Sequence, residues 1–234
     1  MNFETLHRWD LEYDEARSLQ EELAEQVRFQ PLPDDLNLVA GADVAYSRKL
    51  KKCFASVVVM TYPELEEVEE SNVNAPSSFP YIPGLLSFRE GAVVLKAFGG
   101  IESAPDAVIF DGQGFAHPRR LGLACHLGLW LGLPSVGCAK NRLIGENADP
   151  GVEKGQWTDL MDGDEKLGEV LRTRTDVKPV FVSPGHLVDF ESSRRLVLDC
   201  CTRYRLPEPT RQADLRVAKT KRSYMRHADE SHTD

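Results

Sequence analysis

The feature that most constrains this 234-residue chain is a pair of short apolar runs, Ala107 to Phe110 and Ser135 to Ala139, on either side of a longer apolar stretch, His117 to Leu131. Runs that short suit buried strands, whereas the stretch between them is long enough for a helix. Strand, helix and strand in that order make a βαβ unit, whose two strands lie parallel. Ligands of sheets with parallel strands gather at the carboxyl ends of those strands. A charged side chain stands at each of those ends here, Asp111 after the first run and Lys140 after the second.

Ahead of this unit the pattern differs. Leu38 to Tyr46 and Cys53 to Tyr62 read as strands, the second through its run Val57-Val58-Val59-Met60, and Glu66 to Val73 reads as a third, antiparallel to the second. A polar helix is expected from Leu11 to Val27, ended by Pro31 and Pro33, and another from Gly84 to Phe98. After the unit, Glu146 to Asp164 reads as a polar loop and Val170 to Thr173 with Val180 to Val182 as a late hairpin. Phe190 to Tyr204 reads as a helix, and a last helix follows Pro207 and Pro209. About residues 222–234 are expected to be a disordered tail. The order predicts one domain of α/β class, a mixed β-sheet flanked by helices, as in ribonuclease H-like folds.

The net charge of −9 argues against a generally sticky nucleic-acid binder, but basic clusters at Arg119-Arg120, at Lys140 with Arg142, and from Arg211 to Arg226 can still meet phosphates. The five cysteines form no CxxC pair; they read as buried thiols in a reducing compartment, the cytoplasm. Leu121 to Ala139 lacks charge and is long enough for a bilayer, yet His126, Pro134 and its glycines divide it into a helix, a turn and a strand. No membrane association and a monomeric state are expected.

Asp43 lies inside the first strand, between Ala42 and Val44. A charge there is costly unless it is paired or holds a metal; the plainer alternative is an edge-strand Asp facing water. Asp111 opens the turn Gly112-Gln113-Gly114 and is either a rim ligand or a turn residue. Glu90 shares a helical row with Leu86, Val93 and Ala97, which puts a carboxylate on an apolar stripe. Two or more such groups at one end of a sheet make a site for a hard cation, Mg²⁺ or Mn²⁺, that polarises a phosphate. Spacing alone does not say which of them converge. Lys140 is either a charge-stabilising group beside such a phosphate or part of a solvated loop. In Pro80-Tyr81-Ile82-Pro83 two prolines stiffen an aromatic tip. Such a tip parts base stacks, or packs on the core as a connector.

Several segments together resemble the endonuclease V family, in the family's own order. They are Gly41-Ala42-Asp43-Val44-Ala45-Tyr46, Pro80-Tyr81-Ile82-Pro83-Gly84-Leu85-Leu86-Ser87-Phe88-Arg89-Glu90, Asp111-Gly112-Gln113-Gly114, His117-Pro118-Arg119, Val136-Gly137-Cys138-Ala139-Lys140, Val182-Ser183-Pro184-Gly185-His186 and Tyr204-Arg205-Leu206-Pro207-Glu208-Pro209-Thr210-Arg211. The resemblance runs from about Leu38 to Asp214. It implies a ribonuclease H-like fold and a metal-dependent endonuclease of DNA repair. Such an enzyme hydrolyses the second phosphodiester bond 3′ to a deaminated purine such as inosine, leaving 3′-hydroxyl and 5′-phosphate ends. It implies Asp43 and Asp111 as metal ligands and Glu90 as the catalytic glutamate. Asp214, expected at the start of the last helix, falls where the family carries His or Asp near the metals. Lys140 and His117 match residues near the scissile phosphate, and Tyr81 matches the strand-parting wedge. Backbone at Gly84, Gly112 and Gly114 would offer N–H donors to a flipped base. Inosine-containing RNA as the main substrate and a catalytically silent inosine-binding module are the alternatives.

Overall fold

In the computed structural model, which describes residues 1, 3–77 and 79–230, three strands at the centre run parallel. They are β1 (Leu38–Ser47), β4 (Ala107–Phe110) and β5 (Ser135–Ala139). Beside β1 lie β2 (Lys52–Thr61) and β3 (Glu67–Pro76), both antiparallel to their neighbours. Beside β5 lie β8 (Val180–Pro184), β7 (Glu165–Leu171) and β6 (Trp157–Asp162), so the sheet order is β3-β2-β1-β4-β5-β8-β7-β6. One face is covered by α2 (Leu86–Gly99) and α3 (Leu123–Leu131), the other by α4 (Phe190–Asp199) and α5 (Glu208–Glu230), while α1 (Tyr13–Ala24) rests on α3.

Alternation along the strands assigns the two cores. Ala40, Ala42, Val57, Val59, Val108 and Phe110 pack with Val94, Phe98 and Leu127 under α2 and α3. Val39, Val58, Ile109 and Val136 pack with Val197 and Ala213 under α4 and α5. β1 and β4 are thus apolar on both sides and β5 is buried along its whole length, as coverage by two helical layers requires.

Four sequence expectations need correction. The segment Glu146 to Asp164 is not all loop, because Trp157–Asp162 forms β6. Only Leu160 of its six residues is buried, and pairing with β7 along its length holds it. The helix expected from His117 starts only at Leu123, since Arg120 adopts φ +57° and Gly122 turns the chain against Gln113. The helix expected to reach Tyr204 stops at Asp199. Residues 222–230 are helical rather than a disordered tail. Tyr224 anchors that stretch, packing edge-on against Phe54 and accepting from Lys52 Nζ at 2.6 Å. Residues 231–234 of the expected tail lie outside the described residues. Among the described residues all five cysteines are free and buried, and no helix is long and apolar enough to cross a membrane.

Candidate active site

The parallel pairing of β1 with β4 sets Ala42 beside Phe110, so Asp43 and Asp111 leave adjacent strands at matching positions. Across β1, Asp43 faces Ser56 of β2. Glu90 comes from α2, on the helix face that also carries Val93 and Ala97 into the core. Asp43, Glu90 and Asp111 line one cavity of about 210 Å³ whose other walls are Ala42, Val44, Leu86, Val94, Phe110 and Leu123.

Gly41 admits a fourth carboxylate. A Cβ there would stand 2.1 Å from the carbonyl carbon of Pro209, so only glycine lets the start of α5 lie on β1. Asp214 then falls in the second turn of α5, not at its start, where its charge reaches Asp43 and Lys140. Its own side chain is exposed.

Burial, followed by the neighbouring Asp111 charge, pushes the Asp43 carboxyl up to about 7. Burial likewise raises Glu90 to about 8; Arg89 opposes this, and Asp43 and Asp111 add to it. All the donors of this set are oxygen, so it suits a hard divalent cation. Among the described residues no three His, Cys, Asp or Glu side chains stand together as a ready-made cation cage. Asp111 is instead ion-paired with Lys140, whose pKa rises through that bond although burial opposes it. Arg205 fixes the loop from behind, donating from Nη2 to the carbonyls of Lys140 at 2.8 Å and Pro179 at 2.7 Å.

Tyr81 is 66% exposed and projects between two cavities. One, of about 410 Å³, is lined by Ile82, Pro83, Gly84, Gly112, His117 and Asp111 among others. The other, of about 750 Å³, contains Pro80, Arg48, Lys51, Arg89 and Glu90. Arg89 lies between two tyrosines, its guanidinium 3.6 Å from the Tyr46 ring centre and 5.7 Å from that of Tyr81. Sequence reasoning missed this cationic cleft, although the run Arg48-Lys49-Leu50-Lys51-Lys52 at the β1–β2 turn was a visible signal.

One expected contributor sits differently. Gly114 is not in the cavity lining: its N–H donates to Ser183 Oγ at 2.9 Å, and a Cβ would lie 2.2 Å from the Pro184 oxygen. It serves the contact between the turn and β8. His117 is buried, with Nε2 3.0 Å from the Gly84 oxygen and Nδ1 accepting from the Arg119 N–H at 3.2 Å. Burial, then the charge of Arg119, lowers its pKa to about 4.

A mixed sheet with this order, helices on both faces and carboxylates on its parallel rim has the ribonuclease H-like architecture. The family model for Endonuclease V matches residues 21–215. Endonuclease V of Dehalococcoides mccartyi is 50% identical over 214 residues, covering 92% of this chain and 96% of its own. The crystal structure of Endonuclease V from Streptomyces avermitilis superposes with a TM-score of 0.89 at 40% identity, covering 93% of this chain and 96% of that one. Endonuclease V of Ciona intestinalis, in complex with a 24mer DNA containing an inosine followed by a ribo-adenosine, has a TM-score of 0.79 at 30% identity over 90% of this chain and 98% of its own. The chain belongs to the endonuclease V family and is an endonuclease.

Proposed function

We propose that this protein hydrolyses the second phosphodiester bond 3′ to a deaminated purine, such as inosine in DNA, leaving 3′-hydroxyl and 5′-phosphate ends. The observation that carries this reading is Asp111, which borders both the cavity beside the wedge and the acidic cavity. A base drawn into the first leaves its backbone at the second. The inosine-containing DNA bound by the Ciona relative supports the choice of lesion.

Asp43, Glu90 and Asp111 would hold Mg²⁺, with Mn²⁺ as a substitute and Asp214 closing the site from α5. When bound, the cation polarises the phosphodiester and lowers the pKa of the attacking water. The rest falls to the chain. Tyr81, braced by Pro80 and Pro83, enters the stack beside the lesion, and the unpaired base turns into the cavity of Ile82, Gly84 and Gly112. Water attacks phosphorus, the bond to the 3′ oxygen breaks, and the Lys140 ammonium offsets the charge growing on that oxygen. His117, with both ring nitrogens engaged, frames the base cavity rather than moving a proton. Five buried thiols fit a reducing cytoplasm, where we read the chain as a monomer.

Nicking of matched duplexes with and without a single inosine, in Mg²⁺ and in EDTA, tests the proposal. Equal cutting of the two duplexes, or full cutting in EDTA, overturns it. An inosine-containing RNA strand in the same assay decides which nucleic acid is preferred. Binding without nicking would identify a silent inosine-binding module instead.

A further inference from the structure

Helix α1 lies outside the segments that carry the family resemblance, yet it sends one side chain into the base cavity. Gln20 is 1% exposed. Its Nε2 donates to the Gly84 oxygen at 3.0 Å and to the Leu121 oxygen at 2.7 Å, and its Oε1 accepts from Arg119 Nε at 2.5 Å. Both amide hydrogens are therefore used within the protein, and Gln20 has none to offer a ligand.

The Gly84 carbonyl is a meeting point. Besides Gln20 it accepts from Arg119 Nη2 and bonds to His117 Nε2, each at 3.0 Å. Because His117 Nδ1 accepts from the Arg119 N–H, Nε2 is the nitrogen that carries the proton, and all three contacts on Gly84 are donors. A carbonyl oxygen has two lone pairs, so three donors leave it no capacity for a fourth. Gly84 adopts φ +80°, and a Cβ at that position would stand 3.0 Å from Arg119 Nη2, so glycine is required for this convergence. Gln20 also occupies the Leu121 carbonyl, a second acceptor of the same cavity wall.

These bonds bear on which purine the cavity accepts. Adenine carries an exocyclic amine, a donor that needs an acceptor once it is desolvated; hypoxanthine carries an oxygen at that place. A wall whose carbonyls are already filled gives the amine no partner, and a buried unpaired donor is costly. We infer that Gln20 is a positioning and specificity-determining residue, which ties α1 to the Gly84 carbonyl and takes the Leu121 carbonyl away from amino-bearing purines. This rests on the lesion reading of the cavity given above.

The test compares wild type with Gln20→Met and Gln20→Glu. The first removes all three bonds at similar volume, and the second keeps the acceptor for Arg119 but loses both donors. Binding is read by fluorescence anisotropy in EDTA on labelled duplexes that carry inosine or adenine at one mismatched position, and nicking is read on the same duplexes in Mg²⁺. The inosine-to-adenine preference should fall about five- to tenfold in both variants, as expected for one freed buried acceptor. A merely structural role would lower the melting temperature and scale binding to both duplexes alike, leaving the ratio unchanged, and that result overturns the inference. If wild type itself shows no preference for inosine, the lesion reading fails and this inference with it. If wild type prefers inosine and both variants keep that preference, only the role of Gln20 is lost. Should Gln20→Met not fold, Gln20→Glu carries the comparison alone.

Discussion

The ammonium of Lys140 is bonded to Asp111, one residue beyond β4 and one beyond β5, so the positive and negative ends of two parallel strands meet at the rim. In the proposed reaction a cation would compete with Lys140 for Asp111 and leave the ammonium free for the phosphate. Lys140→Met should lower the nicking rate about 100-fold, the usual scale for losing one group that meets developing charge. Asp111→Asn should abolish nicking while circular dichroism stays that of wild type. Rates within twofold of wild type for Lys140→Met would remove the lysine from the chemistry.

The wedge makes its own demand. In its proposed role Tyr81 parts a stack only where a stack exists, so Tyr81→Ala should weaken cutting of an inosine duplex about tenfold, the scale of one lost base–aromatic contact. A single-stranded inosine substrate should be affected far less. Matching losses on the two substrates would contradict the wedge.

Asp214 gives a metal-specific outcome. Asp214→Ala should raise the Mg²⁺ concentration for half-maximal nicking about tenfold, the scale seen when groups around a metal are removed. Asp214→His should be restored better by Mn²⁺ than by Mg²⁺, because imidazole suits the softer ion. Since Asp214 lies in the second turn of α5 rather than at its start, loss of a helix-start charge does not predict this shift. An unchanged metal titration for Asp214→Ala would take the residue out of the site.

A buried histidine, His126, with the half-buried His7 beside it, sets a pH limit on stability. His7 Nε2 lies 2.7 Å from His126 Nε2, His126 Nδ1 lies 2.8 Å from Ser87 Oγ of α2, and Trp130 Nε1 donates to His7 Nε2 at 2.9 Å. Burial, with His7 nearby, lowers His126 to about 3. Its folded-state pKa lies below the unfolded value near 6.5, so the unfolded chain takes up the proton first. The stability it contributes is full above pH ~6.5 and is lost as pH falls from there toward 3, at up to about 1.4 kcal/mol per pH unit. Asp43 and Glu90 act with the opposite sign as pH rises, because their raised values make the folded state hold the extra proton. The difference between wild type and His126→Gln in urea unfolding at pH 7.5 and 5 isolates the histidine. Equal slopes for the two proteins would refute it.

The sequence by itself determined what is local. The bounds of β4 and β5 were readable because buried strands leave short apolar runs, and their parallel pairing followed from the helix between them. Asp43, Glu90 and Asp111 stood out as charges set in apolar patterns, and Tyr81 as an aromatic between prolines. Elements held by partners rather than by their own composition were not readable. The largely exposed strand β6 depends on β7, the turn from His117 to Gly122 depends on its contact with Gln113, and residues 222–230 depend on Tyr224 meeting β2. Tertiary structure alone decided which charges share a site: Glu90 arrives from α2, Asp214 comes over Gly41 with α5, and Gln20 bonds a carbonyl 101 residues away. Periodicity records which way a side chain faces along its own element, whereas the meeting of two elements depends on packing summed over the whole core.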